Sequence, residues 1–505
     1  MKLSYKKTVL VGLAFLLICA FWQAYDTLVP KILTDKFGLS QTVSGAVMAL
    51  DNIVALFLLP FFGTLSDRCR SRLGRRTPYV LIGALLAVLL LLPFGIADAI
   101  QAKNLEAVSN DSAESLSILW DANPEIKDPK SGDDLPLQSL FADKDEFTSI
   151  TIYDTNGDVS RAHTDYVVPA RQAYAKEMTE QSPFALILFM ASLMLLLIAM
   201  SIFRSPAVAL MPDVTPKPLR SKANAVINLM GAVGGILILV LGIIFGTGKP
   251  EKALMSYALV FLSVALLMLA ALAVFMLRVR ERRLVEEMHR DSERLGIKEE
   301  DEEKKEEKST LPLSRAHRIS MLLILASVVL WYMGYNAVSS KYSVYAGSVL
   351  GLDYNLTLIL AQAVSIVAFI PIGILSSRVG RRRMILVGVL MLGASFGVIS
   401  FLRAGAPLIV VNLLFILGGI GWSTINVNSF PMVVELCHAG DVGKYTGYYY
   451  TASMAAQTLT PVLSGLFLDG IGMSALFPYA VVCIALAFVT MLFVRHGDAA
   501  QTSAS

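Results

Sequence analysis

Four charged residues fall inside, or one position past, stretches apolar enough to cross a membrane: Asp26, Asp51, Arg204 and Lys341. An ionisable group at that depth is costly and by default marks an ion or solute path. Coupling a proton to solute movement needs a carboxyl that desolvation makes easy to protonate and an approaching cation makes easy to ionise. Asp26, in WQAYDTLVP, and Asp51, beside Asn52, are the candidate carboxyls; Arg204 and Lys341 are the candidate cationic partners. Arg204 lies nine residues before Asp213, about 13 Å along a helix at 1.5 Å per residue. Plainer readings exist: a helix-end group facing water for Asp26, an interhelical hydrogen bond for Asp51.

A hydroxyl-rich solute needs aromatic faces and paired donors and acceptors. The apolar runs offer Trp22, Gln23, Tyr25, Asn224, Asn228, Trp331, Tyr335, Asn336, Gln362, Trp422, Asn426, Asn428 and Gln457. Trp and Tyr also mark membrane interfaces, and Asn and Gln also join helices.

A third constellation lies at the ends of these runs. PFFGTLSDRCRSRLGRR holds Asp67, Arg68, Gly74, Arg75 and Arg76, and PIGILSSRVGRR holds Arg378, Gly380, Arg381 and Arg382. Asp213 ends the fourth run, Arg220 precedes the fifth, and Glu435 ends the tenth. The arginines alone would serve as topology anchors. Acidic residues at matched positions argue for a cytoplasmic gate, whose pairs form as the inner mouth closes and break as it opens.

The elements that must position these residues are membrane helices. The 505-residue chain is 55% hydrophobic and 16% charged, against about 25% charged in soluble proteins. Twelve runs reach spanning length: 8–30, 43–65, 78–97, 184–203, 223–246, 253–277, 319–340, 355–376, 384–402, 407–428, 446–468 and 474–494. The first run lacks the flanks of a cleaved leader. Lys and Arg concentrate in alternate short loops, which places both termini in the cytoplasm. The arginine clusters are wedged between spans, which excludes a nucleic-acid reading. The four cysteines form no disulfide framework. Spacing gives no metal site, and no phosphate-cradling loop or cofactor motif occurs.

The halves repeat. Trp22 matches Trp331, Asp67 matches Ser377, Gly74 matches Gly380 and Asp213 matches Glu435. The spacing between partners is nearly constant over the first three pairs and then shortens, as one insertion at 98–182 requires. The expected fold is therefore an all-α membrane protein: twelve transmembrane helices in two pseudo-symmetric six-helix bundles, residues 1–277 and 319–505. Residues 278–318 are a charged cytoplasmic linker, helical at RVRERRLVEEMHRDSERL and a solvated tether at EEDEEKKEEK. The acidic outer insertion reads as flexible in SNDSAES and NPEIKDPKSGDD. A β-hairpin is expected over 149–166 around Asn156-Gly157. Val159 stands where a calcium loop needs Gly, which favours the hairpin.

The Gly63-x-x-x-Asp67-Arg68 and Gly74-Arg75-Arg76 pattern resembles the loop signature of the major facilitator superfamily. SDRCRSRLGRRTPYVLIG and RSPAVALMPD resemble the sucrose-transporter-like proton–sugar symporters, relatives of the glycoside–pentoside–hexuronide cation symporters. The resemblance implies the major facilitator fold, in the cell (inner) membrane, with a sugar or glycoside and a proton as partners and a monomer as the working unit. It also implies a first-helix carboxyl in proton coupling, which Asp26 resembles. Val208 stands where the sucrose-transporter pattern has Arg, although Arg204 is one turn earlier on the same face. Ala55 and Leu59 replace the two Asp of the sodium-coupled pattern. The fifth run lacks the proline of the antiporter pattern. The expectation is a transporter, not an enzyme, importing sugar with protons. The rival expectations are a proton-driven exporter of a drug or metabolite, and a receptor or scaffold using the outer insertion.

Overall fold

The computed structural model describes residues 4–155, 157–216, 219–294, 315–435 and 442–494. Asn156, Cys437, the side chains of Ser377 and Glu435, and the EEDEEKKEEK tether lie outside the described residues. Helix α1 (Tyr5–Lys31) runs on through a π-helical turn, Ile32–Lys36, and is followed by α2 (Gln41–Asp67) and α3 (Thr77–Asn104). The outer insertion contributes α4 (Ala113–Ala122), β1 (Glu125–Lys127), β2 (Asp134–Pro136), α5 (Lys144–Thr148) and α6 (Val168–Gln181). The chain continues with α7 (Phe184–Asp213), α8 (Arg220–Phe245), α9 (Ala258–Arg278) and α10 (Glu281–Arg294). The last six are α11 (Arg315–Tyr345), α12 (Tyr354–Val379), α13 (Arg381–Ile399), α14 (Leu408–Glu435), α15 (Val442–Ile471) and α16 (Leu476–Leu492).

Among the described residues, ten helices are long and apolar enough to cross a membrane. Helices α12 and α15 occupy the two other expected spans. Proline inside α2, α3, α7, α12, α14 and α15 is tolerated because neighbouring helices re-satisfy the freed backbone groups.

The residues cluster into two compact units: Met1–Leu39, Leu50–Glu299 and Ala346–Asn355 in the first, Ser40–Ala49, Glu300–Tyr345 and Leu356–Ser505 in the second. In the first, α1 packs on α8 and α9, and α3 packs on α7 and α9. In the second, α11 packs on α15 and α16, and α13 packs on α14 and α16. These four pairings correspond one to one under the sequence repeat. The opening turns of α2 join the second unit because Gly45 lies directly against the Pro461 backbone and Gly465 against Gln41 and Thr42.

The outer insertion corrects the expectation of flexibility. It encloses a core of Leu105, Leu116, Leu119, Phe147 and Val167 with Leu254 from the α8–α9 turn. Its polar residues are caps and turns rather than slack. Ser112 Oγ accepts from Ser115 N–H at 3.2 Å to start α4, and Asp143 accepts from Glu146 N–H at 2.9 Å to start α5. Asp128 accepts from Lys130 and Ser131 N–H in the β1–β2 turn. The two-strand hairpin lies there, with Ile126 opposite Leu135. Over 149–166 the hairpin shrinks to one pair, Tyr153 and Val159. His163 then begins a helical stretch that leads into α6.

Candidate functional site

In the first unit, α1, α2 and α7 bring Trp22, Asp26, Asp51 and Arg204 together. Trp22 and Asp26 are four apart and share a face of α1. The Arg204 guanidinium stands over the Trp22 ring, 5.2 Å from its centroid. Asp51 and Asp26 both lie within electrostatic range of Arg204, and Asn52 Nδ2 donates to Asp51 Oδ1 at 2.8 Å. Asp26 is exposed while Tyr25 and Thr27 beside it are buried. A membrane carboxylate facing lipid carries a heavy cost. The Trp22 Nε1–H is buried with no hydrogen-bond partner among the described residues, and such a donor calls for an acceptor from water or solute. Arg204 is thus the cation nearest both carboxylates in this group. Gln23 lies on the same helix, and Asn224 and Asn228 are exposed on α8, where Asn228 Nδ2 donates to the Asn224 carbonyl at 2.9 Å.

In the second unit, Tyr335 and Trp422 stack with ring centroids 3.6 Å apart and planes 1° from parallel. Tyr332 meets Trp422 edge-on at 5.2 Å, and its hydroxyl donates to Asn426 Oδ1 at 3.3 Å. Asn336 Nδ2 is buried with no partner among the described residues. Gln362 and Gln457 are half-buried. This aromatic and amide group can present a flat face with hydrogen-bonding edges.

Other expected residues are placed elsewhere. Tyr25, Trp331 and Asn428 are 3%, 0% and 1% exposed, packed inside their units and not available to a solute. Tyr25 supports Trp22 edge-on at 5.3 Å, and Asn428 Nδ2 donates to the Thr424 carbonyl. Lys341 donates to the Gln41 carbonyl at 2.9 Å and to Gln41 Oε1 at 3.3 Å. Asp469, which sequence reasoning missed, lies near it and accepts from the N–H groups of Gln41 and Thr42 at 2.7 and 2.8 Å.

At the α2–α3 hairpin of the first unit, Arg76 is a hub. Its Nε donates to Asp213 Oδ2 at 2.9 Å, and its other nitrogens reach Asp67 and Ser66 Oγ. Arg75 adds a 3.5 Å contact to Asp213. Burial works against the Arg76 charge, but Asp213 and Asp67 outweigh it and raise its proton affinity. Arg68 is exposed. Arg220 binds the Thr215 and Pro212 carbonyls at 3.1 and 3.0 Å, closing the end of α7 instead of meeting a gate carboxylate. In the second unit Arg382 donates to the Leu492 carbonyl at 2.7 Å, and Gly380 holds φ +95° where α13 begins. Arg378 and Arg381 flank it.

At the opposite end of the first unit, Lys36 and Asp98 pair with neither side chain exposed. Asp98 also accepts from Tyr257 N–H, and Lys36 stands 3.7 Å from the Tyr257 ring centroid. In the sequence Lys36 falls between the first two apolar runs and Asp98 at the first position of the insertion, so nothing local joins them.

The family model described as "Major Facilitator Superfamily" matches residues 178–438 and 356–505. The chain belongs to the major facilitator superfamily. A second model, "MFS/sugar transport protein", matches residues 10–103. This superfamily member is thus a multi-pass membrane transporter and not an enzyme. An uncharacterized symporter, YnaJ, of Bacillus subtilis is 44% identical over 57 residues, 11% of this chain and 12% of the relative. A putative glycoside/cation symporter, YagG, of Escherichia coli is 37% identical over 79 residues, 15% of this chain and 16% of the relative. Both matches therefore span under a fifth of those curated relatives. Among solved structures, the inward-open xylose transporter XylE of E. coli superposes with TM-score 0.57 at 13% identity, covering 98% of this chain and 97% of that one. That likeness establishes the fold alone.

Proposed function

We propose that this superfamily member couples proton entry to the uptake of a sugar or glycoside by alternating access. The observation that carries the reading is the first-unit group: two carboxylates on α1 and α2 within range of one guanidinium, which itself covers an indole with an unsatisfied N–H. Such a group can hand charge balance from a proton to Arg204 and back as solute binds and leaves. The stacked Tyr335–Trp422 pair with Asn426 and Asn336 suits a polyhydroxylated solute, which is bound by an aromatic face and paired edge hydrogen bonds. The name of one short-segment relative, a putative glycoside/cation symporter, supports the same class of solute with a cation, and the other is named a symporter. The Arg76 hub serves as the cytoplasmic gate of the first half. In this reading residues 1–277 and 319–505 are the two moving bundles, residues 278–318 link them, both termini are cytoplasmic, and the monomer in a cell (inner) membrane is the working unit.

The test is proton flux in proteoliposomes on adding mono- and disaccharides outside, with no imposed gradient. Sugar-dependent alkalinisation outside, lost in Asp26→Asn and Asp51→Asn, is the expected result. Silence from folded protein across the panel would overturn sugar symport and direct the search to exported substrates.

A further inference from the structure

The charged linker begins with a residue buried in the hairpin that carries the Arg76 hub. Glu281, the first residue of α10, is 2% exposed. Its Oε1 accepts from the backbone N–H of Arg75 at 2.7 Å and of Arg76 at 3.0 Å. Its Oε2 accepts from the N–H of Arg76 at 3.0 Å, the N–H of Thr77 at 2.7 Å and the Thr77 hydroxyl at 2.8 Å. The first N–H groups of a helix have no partner within it. Helix α3 makes no side-chain cap of its own, so these groups are satisfied from α10. A carboxylate at that end also answers the positive pole of the helix. The backbone is shaped for this contact: Gly74 adopts φ +121°, and a Cβ there would strike the Glu281 carboxylate.

Arg76 is thereby held at both ends. Glu281 fixes its peptide N–H, and Asp67, Asp213 and Ser66 hold its guanidinium. The rest of α10 is seated more loosely. Leu284 and Met288 face Val11, Met211 and Leu219 across a cavity of about 110 Å³, with the Lys7–Glu287 pair at its rim. Fixing the Arg75–Thr77 peptides therefore falls to Glu281, because the seam itself leaves room for the helix to shift.

We propose that Glu281 is a positioning residue of the inner gate: by capping α3 from the linker, it aims Arg76 at Asp67 and Asp213. This rests on the gate reading above. Loss of the cap frees the Arg75–Thr77 peptides to turn, and the guanidinium leaves its acceptors.

The test uses the full chain with its four cysteines replaced by Ser and a reporter, Asn228→Cys, on the exposed face of α8. Alkylation by a membrane-impermeant maleimide is timed in inside-out vesicles, together with the thermal midpoint. Glu281→Gln keeps the shape but removes the charge and one acceptor, and should raise the inner-face alkylation rate about fivefold, as expected for losing charge-assisted bonds from one of two states. Gly74→Ala should do the same by pushing the carboxylate away. Arg76→Ala is the control for the gate. An unchanged rate in Arg76→Ala overturns the gate reading itself. A faster rate in Arg76→Ala with unchanged rates in both other variants overturns only the role of Glu281. A fall in thermal midpoint without faster alkylation makes Glu281 a structural cap and also overturns the proposal.

Discussion

The two ends of the first unit hold buried charge in opposite ways. At the outer end, Lys36 and Asp98 form a one-to-one pair with no exposure, backed by the Tyr257 ring and N–H. At the inner end, Arg76 is shared among Asp67, Asp213 and Ser66, and Asp67 is 56% exposed. A sealed pair is strongly destabilised by losing one partner, because the other charge is left buried. A shared cation at a wet boundary can trade acceptors at little cost. In the proposed reading, the Lys36–Asp98 pair is a fixed joint and the Arg76 hub opens and closes.

Breaking the outer joint should have the largest effect. Asp98→Ala should destabilise the fold by about 3–5 kcal/mol, the usual cost of orphaning a buried charge. The checks are a large drop in thermal midpoint in detergent and low folded yield; a midpoint near wild type would erase the contrast. Arg76→Lys should keep the fold but cut uptake by about tenfold, because a single ammonium cannot serve acceptors that a guanidinium fork reaches together. Initial uptake rates beside thermal midpoints would separate the two ends, and a parallel loss of both would make the inner end a joint as well.

The smallest expected effect is a pH dependence in the outer insertion. Burial pushes the Asp111 carboxyl up, but the His163 ring, 3.3 Å away, and the Arg171 guanidinium outweigh it and hold it below the usual carboxylate range. A carboxyl depressed in the folded state adds stability above its unfolded value, about 3.9, and loses it as pH falls through the folded value. The insertion should therefore hold steady from neutral pH to about pH 4 and then weaken. Fluorescence of Trp120, which packs near Phe147 at 5.9 Å, would follow it, and Asp111→Asn should remove the step.

The spans and the first-unit hairpin were legible because each has a local signature: apolar length, and a glycine–arginine turn with acids near it. The Trp22–Asp26 face was legible from helical spacing, and Arg204 from its depth. What stayed hidden depended on distant partners. Asp98 lies near a helix end and reads as a loop residue until Lys36 and Tyr257 enclose it. Asp469 reads as a loop acid until the α2 N-terminus meets it. Glu281 is one of many linker acids, and nothing local distinguishes it from Glu286 or Glu287. The order in the insertion was missed for another reason. Ser112, Asp128 and Asp143 are the residue types that fill both flexible segments and tight caps, and only the enclosed leucines and phenylalanines decide between them.

The cap on α3 has a consequence for biosynthesis. Arg76 and Glu281 are separated by 205 positions. At ribosomal rates of about 5–20 residues per second, the carboxylate emerges roughly 10–40 s after the turn it completes. The Gly74–Thr77 turn must therefore wait, with its N–H groups bound to water, until the whole first half has been inserted. The chain order makes this corner the last part of that half to set.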